Sequence, residues 1–185
     1  MLMPDLVRRY TVQEVLQFPD DGNRYELVRG ELLVSPPPAL RHQIVVQRIF
    51  LELVDYLKPL GRQETVFCVG GDISWNDETL VIPDTFVAPP EELRSSWSMV
   101  KTLLLAVEVL SPRSSRADRL LKRQVYQENR VDTYWIVDHR AGLVEVWRPE
   151  DTRPAIVSDV LRWRLEPGAP ELLIDLAALF QGLPE

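Results

Sequence analysis

The feature that most limits the fold is an apolar run followed closely by a proline, because a buried strand must end there. Residues 103–110 read Leu-Leu-Leu-Ala-Val-Glu-Val-Leu, and Pro112 follows them. The run predicts a buried strand, in which the carboxylate of Glu108 is out of place unless it is paired, hydrogen-bonded or bound to a cation. After the proline, Ser114 or Ser115 can cap a helix. The sequence therefore predicts a strand, a turn and a helix, with a charge near the strand end.

The helix carries three polar side chains at regular spacing. It extends to about Glu128, and Asp118, Lys122 and Tyr126 recur at every fourth residue. This spacing places them on one helix face, which can be directed towards the strand end that carries Glu108. A carboxylate, an ammonium group and a phenol would then converge. The alternative is structural: Asp118 and Lys122 form a helix ion pair, and the Tyr126 ring covers the sheet.

Length and composition are typical of one soluble domain. The chain has 185 residues, of which 45% are hydrophobic and 26% are charged, as in ordinary globular proteins. We expect a single domain over residues 1–185, in which residues 1–22 form an N-terminal arm. No apolar run reaches the ~18 residues of a membrane span, and the N-terminus lacks a secretory signal. The expected location is the cytoplasm, with no membrane partner.

The net charge excludes one mode of nucleic-acid binding. A value of −7 argues against a protein that coats nucleic acid with its whole surface, because such affinity comes from many cations that neutralise phosphates. A local basic groove is compatible with it. The single Cys68 lies in a strand-like run and is expected to be a core thiol, so no intrachain disulfide can form.

The rest of the chain alternates helical and strand patterns. The predicted elements are, in order, a short helix capped by Thr11, a β-hairpin of 25–28 and 31–34, an amphipathic helix over 39–57, an antiparallel pair of strands at about 64–74 and 79–88, the strand and helix described above, a hairpin of 132–138 and 143–147, an edge strand at 156–160 and a terminal helix at 171–180. This order predicts an α/β (α+β) fold with a central mixed sheet flanked by helices and an N-terminal hairpin.

Asp84 is a second carboxylate in an apolar context. It follows Leu-Val-Ile-Pro at residues 80–83 and precedes Thr-Phe-Val at residues 85–87. A buried carboxylate without compensation is unfavourable or becomes protonated. Taken alone, Asp84 could equally be a turn or strand-edge residue with no role in a site. Glu108 taken alone could equally be a structural residue in a salt bridge.

Two carboxylates on neighbouring strands, with an ammonium group nearby, meet the needs of a Mg²⁺-dependent phosphodiester hydrolase. Mg²⁺ prefers oxygen ligands and keeps several waters, so Asp84, Glu108 and the carbonyl of Val109 suffice as protein ligands. The ion polarises the scissile phosphate and activates water, while Lys122 can orient that water or neutralise the developing charge.

A set of short motifs runs in a fixed order through most of the chain. They are Tyr25-Glu-Leu-Val-Arg-Gly-Glu-Leu, Ser35-Pro and His42, Pro83-Asp84, Glu108-Val-Leu-Ser-Pro with Asp118, Lys122 and Tyr126, and Tyr134-Trp-Ile-Val-Asp138. In these motifs the chain resembles the PD-(D/E)XK nuclease superfamily, and within it the Uma group of restriction-endonuclease-like proteins, over about residues 11–180. The resemblance implies a restriction-endonuclease-like fold.

The resemblance also implies roles for single residues. Asp84 matches the acidic residue of the Pro-Asp half-motif, and Glu108 matches the acidic residue of the second half-motif. Leu110 stands where the superfamily pattern has its lysine. In this group the lysine looks displaced onto the following helix, where Lys122 is the candidate.

Two further residues are weaker candidates for the site. Glu31 follows a glycine turn and could reach the metal, or it could be an exposed hairpin carboxylate. His42 lies in the first turn of the long helix and is a general base by type, although a lone histidine is more often a capping or surface residue.

The sequence thus predicts an endonuclease that hydrolyses DNA with Mg²⁺ or Mn²⁺. Two alternatives stay open: a nuclease fold that binds nucleic acid or a protein without cleaving, and a phosphoesterase that acts on a small molecule. Nucleases of this fold often pair to cut two strands, and several tryptophans could anchor an interface. A homodimer or higher homo-oligomer is therefore expected.

Overall fold

The computed structural model describes residues 8–68, 71–93, 96–111 and 115–184, without the side chain of Ser98. One of the two candidate helix caps, Ser114, lies outside these residues. The helices are α1 (Val12–Val15), α2 (Leu40–Leu57), α3 (Arg123–Glu128) and α4 (Leu176–Phe180). The strands are β1 (Arg24–Val28), β2 (Glu31–Ser35), β3 (Val66–Cys68), β4 (Ile73–Asn76), β5 (Thr79–Val81), β6 (Thr85–Val87), β7 (Leu105–Val109), β8 (Tyr134–Asp138), β9 (Leu143–Trp147), β10 (Ala155–Val157), β11 (Val160–Trp163) and β12 (Leu172–Asp175).

A four-stranded sheet is built on the predicted N-terminal hairpin. β1 and β2 pair antiparallel, and β5 and β4 extend the sheet in the order β2-β1-β5-β4. The turn residues Arg29 and Gly30 have φ of 51° and 80°, the left-handed conformation that a two-residue turn of this kind requires. Thr11 caps α1, and its hydroxyl and backbone N–H both bond with Glu14. The hairpin and the short first helix are confirmed.

A second sheet has six strands in the order β10-β9-β8-β7-β6-β3. Its neighbouring strands are antiparallel except for β7 and β8, which run parallel with Glu108 opposite Ile136. A parallel pair needs a crossover connection, and the predicted helix at residues 115–128 supplies it. The predicted mixed sheet and its second hairpin, β8 and β9, are confirmed.

Two predicted strands are each divided between the two sheets. The strand predicted over 64–74 is β3 in the larger sheet and β4 in the smaller one, and the strand predicted over 79–88 is β5 and β6. Their antiparallel pairing is confirmed, but their continuity is wrong. Pro83 has no N–H for the ladder, so pairing stops between β5 and β6. Between β3 and β4, a Cβ on Gly71 would lie 2.6 Å from the Phe86 ring.

The predicted terminal helix at 171–180 is wrong in its first half. Leu172 and Ile174 are buried while Leu173 is exposed, the alternation of a strand, and β12 pairs with β11, which the sequence interpretation did not include. The carboxylate of Asp175 then accepts hydrogen bonds from two N–H groups of the first turn of α4. The predicted edge strand is present as β10 at the end of the larger sheet.

The larger sheet is covered on both faces. α2 packs on one face through side chains that include Val45, Ile49 and Leu53. The other face packs against the crossover helix, where Val125 and Tyr126 are buried. In the part of the chain that the structure describes, no helix is both long enough and apolar enough to cross a membrane.

Candidate active site

Lys122 is at the centre of a buried charged cluster. Its side chain is 3% exposed, and Nζ lies 2.8 Å from Glu26 Oε2, 3.0 Å from Glu108 Oε1 and 3.3 Å from Asp118 Oδ1. A buried ammonium group is unfavourable unless it is paired, and these carboxylates pair with it. The structure therefore brings together the strand carboxylate and the helix lysine, as the spacing predicted.

The local backbone explains how these groups meet. Successive residues of a strand face opposite sides of the sheet, so Glu108 faces the crossover helix while its neighbours in β7 face α2. In that helix, Ala117–Lys122 is π-helical, and the Arg123 N–H bonds the carbonyl of Asp118, five residues earlier. π-Turns are rare and frequently occur at functional sites. Asp118 remains 1% exposed in this arrangement.

Charge pairing keeps Lys122 protonated. Burial alone would lower the pKa of Lys122, but the carboxylates of Glu108, Glu26 and Asp118 hold it well above its usual range. Burial raises the pKa of Glu108 well above its ordinary value. Lys122 opposes this rise in the pKa of Glu108, whereas the nearby carboxylates of Asp118, Asp84 and Glu26 add to it. Lys122 is thus an ammonium ion at neutral pH, in surroundings that are short of positive charge.

Tyr126 orients the Glu108 carboxylate. Its hydroxyl donates a hydrogen bond to Glu108 Oε1 at 3.0 Å. Burial, followed by the charge of Glu108, raises the pKa of Tyr126 well above its ordinary value, so the phenol remains a donor. The ring is fully buried in the core, and the two interpretations of this residue, site and sheet cover, are therefore compatible.

Asp84 lies in the interruption between β5 and β6. Its Oδ1 accepts a hydrogen bond from Arg24 Nη1 at 2.9 Å, and its Oδ2 accepts one from the Val109 N–H at 2.9 Å. Oδ2 also lies 3.1 Å from Nε2 of His42. Burial opposes ionisation, but the hydrogen bond and charge of His42, the charge of Arg24 and the Val109 N–H together lower the pKa of Asp84 to about 2. Val109 therefore contacts Asp84 through its N–H, whereas the sequence predicted a role for its carbonyl.

The sequence interpretation missed Glu26 and Arg24. Glu26 is 2% exposed, and besides its contact with Lys122 it accepts a hydrogen bond from the Ile82 N–H at 2.8 Å. Arg24 donates to the Ile82 carbonyl at 3.2 Å as well as to Asp84. A signal was present for Glu26, since it is a carboxylate flanked by apolar residues in a predicted strand, the same anomaly that identified the other carboxylates.

One cavity of about 400 Å³ gives access to these side chains. Its lining includes Arg24, Glu26, His42, Asp84, Glu108, Val109, Asp118 and Lys122. His42 is 8% exposed and the N-cap of α2 is Ala39, without a side-chain cap hydrogen bond, so His42 is neither a surface nor a capping residue. Glu31 is exposed at the start of β2 and lies outside this lining.

The cavity fits a hard divalent cation by charge and by donor type. Four buried carboxylates line it, whereas its cations are Arg24 and Lys122. Mg²⁺ takes oxygen ligands and is often held by one or two carboxylates with several waters. Asp84 and Glu108 provide such a pair. Within the described ranges, no three His, Cys, Asp or Glu side chains come together as a complete metal site, so water or substrate oxygens would supply the other ligands.

The chain has a nuclease-like α+β fold. Residues 12–177 match the Uma2 family, described as "Putative restriction endonuclease", and the chain belongs to this family. It is also similar to the crystal structure of a "putative nuclease belonging to DUF820" from Anabaena variabilis, with a TM-score of 0.75 and 19% sequence identity. The similarity covers 94% of this chain and 99% of that chain. The family and fold inferred from the sequence are confirmed, and no curated protein matches the chain.

Proposed function

We propose that this protein is an endonuclease that hydrolyses phosphodiester bonds of DNA with Mg²⁺ or Mn²⁺. The observation that carries the proposal is the convergence of Asp84, Glu108 and the Lys122 ammonium group on one cavity. Membership of a family described as "Putative restriction endonuclease" supports the reaction class.

Asp84 and Glu108 would hold the ion. When bound, the ion supplies Lewis-acid polarisation of the scissile phosphate. The Arg24 guanidinium and the Val109 N–H keep Asp84 ionised and fixed in orientation. The Tyr126 hydroxyl fixes the orientation of one oxygen of Glu108, so the two carboxylates are organised before substrate arrives.

Lys122 acts as a fixed positive charge. Its raised pKa leaves almost no neutral amine at neutral pH, which excludes it as a general base. Glu26 and Asp118 hold the ammonium group and are positioning residues. The charge is therefore available to neutralise the negative charge that develops on the phosphate during hydrolysis.

His42 is oriented by Asp84 through Nε2. Its Nδ1 is buried and has no hydrogen-bond partner within the described residues. That nitrogen can bond to a substrate oxygen or to the attacking water. Glu31, which is exposed, has no part in this mechanism.

Plasmid nicking tests the proposal. Wild-type protein should convert supercoiled DNA to open circles only with Mg²⁺ or Mn²⁺, and EDTA should stop the reaction. The nearly isosteric Glu108→Gln change should lower the rate at least about a hundredfold, since loss of a metal-site group has effects of this order. Glu31→Gln makes the same chemical change at an exposed site and should keep the wild-type rate. Glu108→Gln protein that nicks at the wild-type rate would refute the assigned site.

A second candidate is a nuclease fold that binds nucleic acid without cleaving it. The observation in its favour is that both oxygens of Asp84 already accept hydrogen bonds and that Lys122 Nζ contacts three carboxylates. Wild-type protein that binds DNA and Mg²⁺ but leaves DNA intact would establish this candidate. Hydrolysis of a small phosphodiester without any binding of DNA would instead establish a small-molecule phosphoesterase.

A further inference from the structure

A second cavity, of about 350 Å³, adjoins the first. It is lined by Ala39, Arg41, His42, Leu110, Ser111, His139 and Arg140. Ala39, His42 and Ser111 also line the first cavity. A ligand that enters the site can therefore extend from one cavity into the other, and His42 stands between them.

The second cavity is rich in positive charge that the described residues do not neutralise. Arg41 and Arg140 line it, and neither forms an ion pair with any carboxylate in the described part of the chain. Among the residues that the structure describes, Arg41 Nε is buried and has no hydrogen-bond partner. The carboxylate nearest to Arg140 in the sequence is that of Asp138. It accepts hydrogen bonds from the Arg119 side chain and from the backbone N–H groups of Arg140 and Ala141.

His139 provides a separate indication that a ligand belongs here. It is 8% exposed, and its Nδ1 has no hydrogen-bond partner within the described residues. Buried polar atoms are nearly always hydrogen-bonded, so an orphaned ring nitrogen in a cavity wall indicates a group that binds there. Burial lowers the pKa of His139, and the charges of Arg41, Arg140 and His42 lower it further. The charge of Asp138 opposes this lowering of the pKa of His139.

The N-terminus of α2 adds to the same field. Residues Leu40–Leu57 form an 18-residue helix whose first turn has no acidic residue, and Ala39 supplies no side-chain cap. The first N–H groups of a helix have no partner within the helix, and they carry a partial positive charge. Arg41 and His42 are in this first turn, so the helix end and the arginines favour an anion at the same place.

We propose that the second cavity binds a phosphate of the nucleic-acid backbone beside the scissile phosphate. This inference rests on the proposed function and narrows its substrate class to a polynucleotide strand with several phosphates. Arg41 and Arg140 contact the second phosphate, and the orphaned nitrogen of His139 hydrogen-bonds to it. The first cavity holds the bond to be cut.

Binding of a labelled DNA duplex in EDTA, which prevents cleavage, tests the inference. The double variant Arg41→Ala/Arg140→Ala should lower affinity about tenfold, the effect of one lost charged contact. The slope of log K against log salt should become shallower by about 0.9, the value for one phosphate contact. Arg153→Ala makes one such substitution, with the loss of one positive charge, at an exposed residue outside both cavities and should change neither quantity. The single variant Arg140→Glu reverses a charge at an exposed position and should weaken binding more than the double variant does. Melting temperatures check that each variant is folded.

The outcomes separate this inference from the proposed function. An unchanged affinity and slope in the double variant overturns the inference, even where wild-type protein nicks DNA. A reduced slope in a protein that never nicks DNA upholds the inference and contradicts the endonuclease. Hydrolysis of a substrate with one phosphodiester, bis(4-nitrophenyl) phosphate, should be the same in wild type and double variant. Loss of that hydrolysis places the arginines in catalysis and overturns the inference, and wild-type protein that binds no DNA overturns both proposals.

Discussion

Lys122 forms ion pairs with three carboxylates that are themselves buried, Glu26, Glu108 and Asp118. Such a network adds little net stability compared with an apolar core of the same shape, because each charge loses its hydration. Removing one member is different, since it leaves the opposite charge buried and unpaired. We therefore propose that the chemistry of the site requires an ammonium group at this point.

Replacing Lys122 by Met should destabilise the fold by roughly 3–5 kcal/mol, the usual effect of removing one partner from a buried ion pair. Urea unfolding at neutral pH measures this change. Lys58→Met makes the same substitution at an exposed lysine and should change the free energy of unfolding by less than about 0.5 kcal/mol. Similar values for the two variants would show that Lys122 is not held as described. Adding Glu26→Gln to Lys122→Met should recover part of the loss, because it removes one unpaired carboxylate.

Asp84→Asn should destabilise the protein above pH 3.8 and progressively less as the pH falls towards 2. The folded-state pKa of Asp84, about 2, lies below the ordinary value of 3.8. The stabilisation by the ionised group is therefore fully present above the higher value and is lost as the pH falls through the lower one. The difference amounts to roughly 2 kcal/mol. Urea unfolding in EDTA, measured for both proteins from acid to neutral pH, should show that the difference between their free energies of unfolding becomes smaller at acid pH. A difference that does not depend on pH would contradict the contacts assigned to Asp84.

Helices and strands whose apolar residues recur with a clear period could be predicted from the sequence. Elements that depend on partners distant in the sequence could not. α2 and the two hairpins have clear periods and turn signals, and their predictions are confirmed. The continuous strand predicted over 64–74 is wrong. The residues of β3 and of β4 both have strand-like composition, and only tertiary packing shows that these two strands belong to different sheets. β12 is similar: its apolar residues also fit a helix face, and its partner β11 decides the outcome.

The same distinction holds for the candidate site. Asp84 and Glu108 were recognisable because each is a carboxylate in an apolar run, and Lys122 because it shares a helix face with polar neighbours. Glu26 carried the first signal too, but its burial depends on Lys122 and Ile82, which are remote in the sequence. Arg24 could not be found, since an arginine at a strand end is ordinary on any protein surface.

Gly71, which lies between β3 and β4, should not tolerate a side chain. A Cβ there would lie 2.6 Å from the Phe86 ring, which is fully buried, so Gly71→Ala should destabilise the protein by about 1–3 kcal/mol through overpacking. Denaturant unfolding measures the change. In the double variant with Phe86→Leu, the Gly71→Ala change should have a smaller effect, because the clash is relieved. Additive effects of the two substitutions on the free energy of unfolding would mean that the Phe86 ring does not limit the space at Gly71.

The candidate site exists only in the folded chain, because its residues come from different sheets and from the crossover helix. Glu26 comes from the four-stranded sheet and Glu108 from the six-stranded sheet, while Asp84 lies where the chain passes between them. Lys122 comes from the crossover between the parallel strands. Because an ion held by this site would bind only the native state, its binding should stabilise the whole fold.

Anomalous diffraction from crystals grown with Mn²⁺ decides whether Asp84 and Glu108 are metal ligands. We expect one strong peak in the first cavity, with an oxygen of each carboxylate about 2.1 Å away, the distance typical of small divalent ions with oxygen ligands. Crystals of Glu108→Gln protein should lose this peak and those of Glu31→Gln protein should keep it. An ion bound elsewhere, no bound ion, or an undiminished peak in the Glu108→Gln protein would contradict the site.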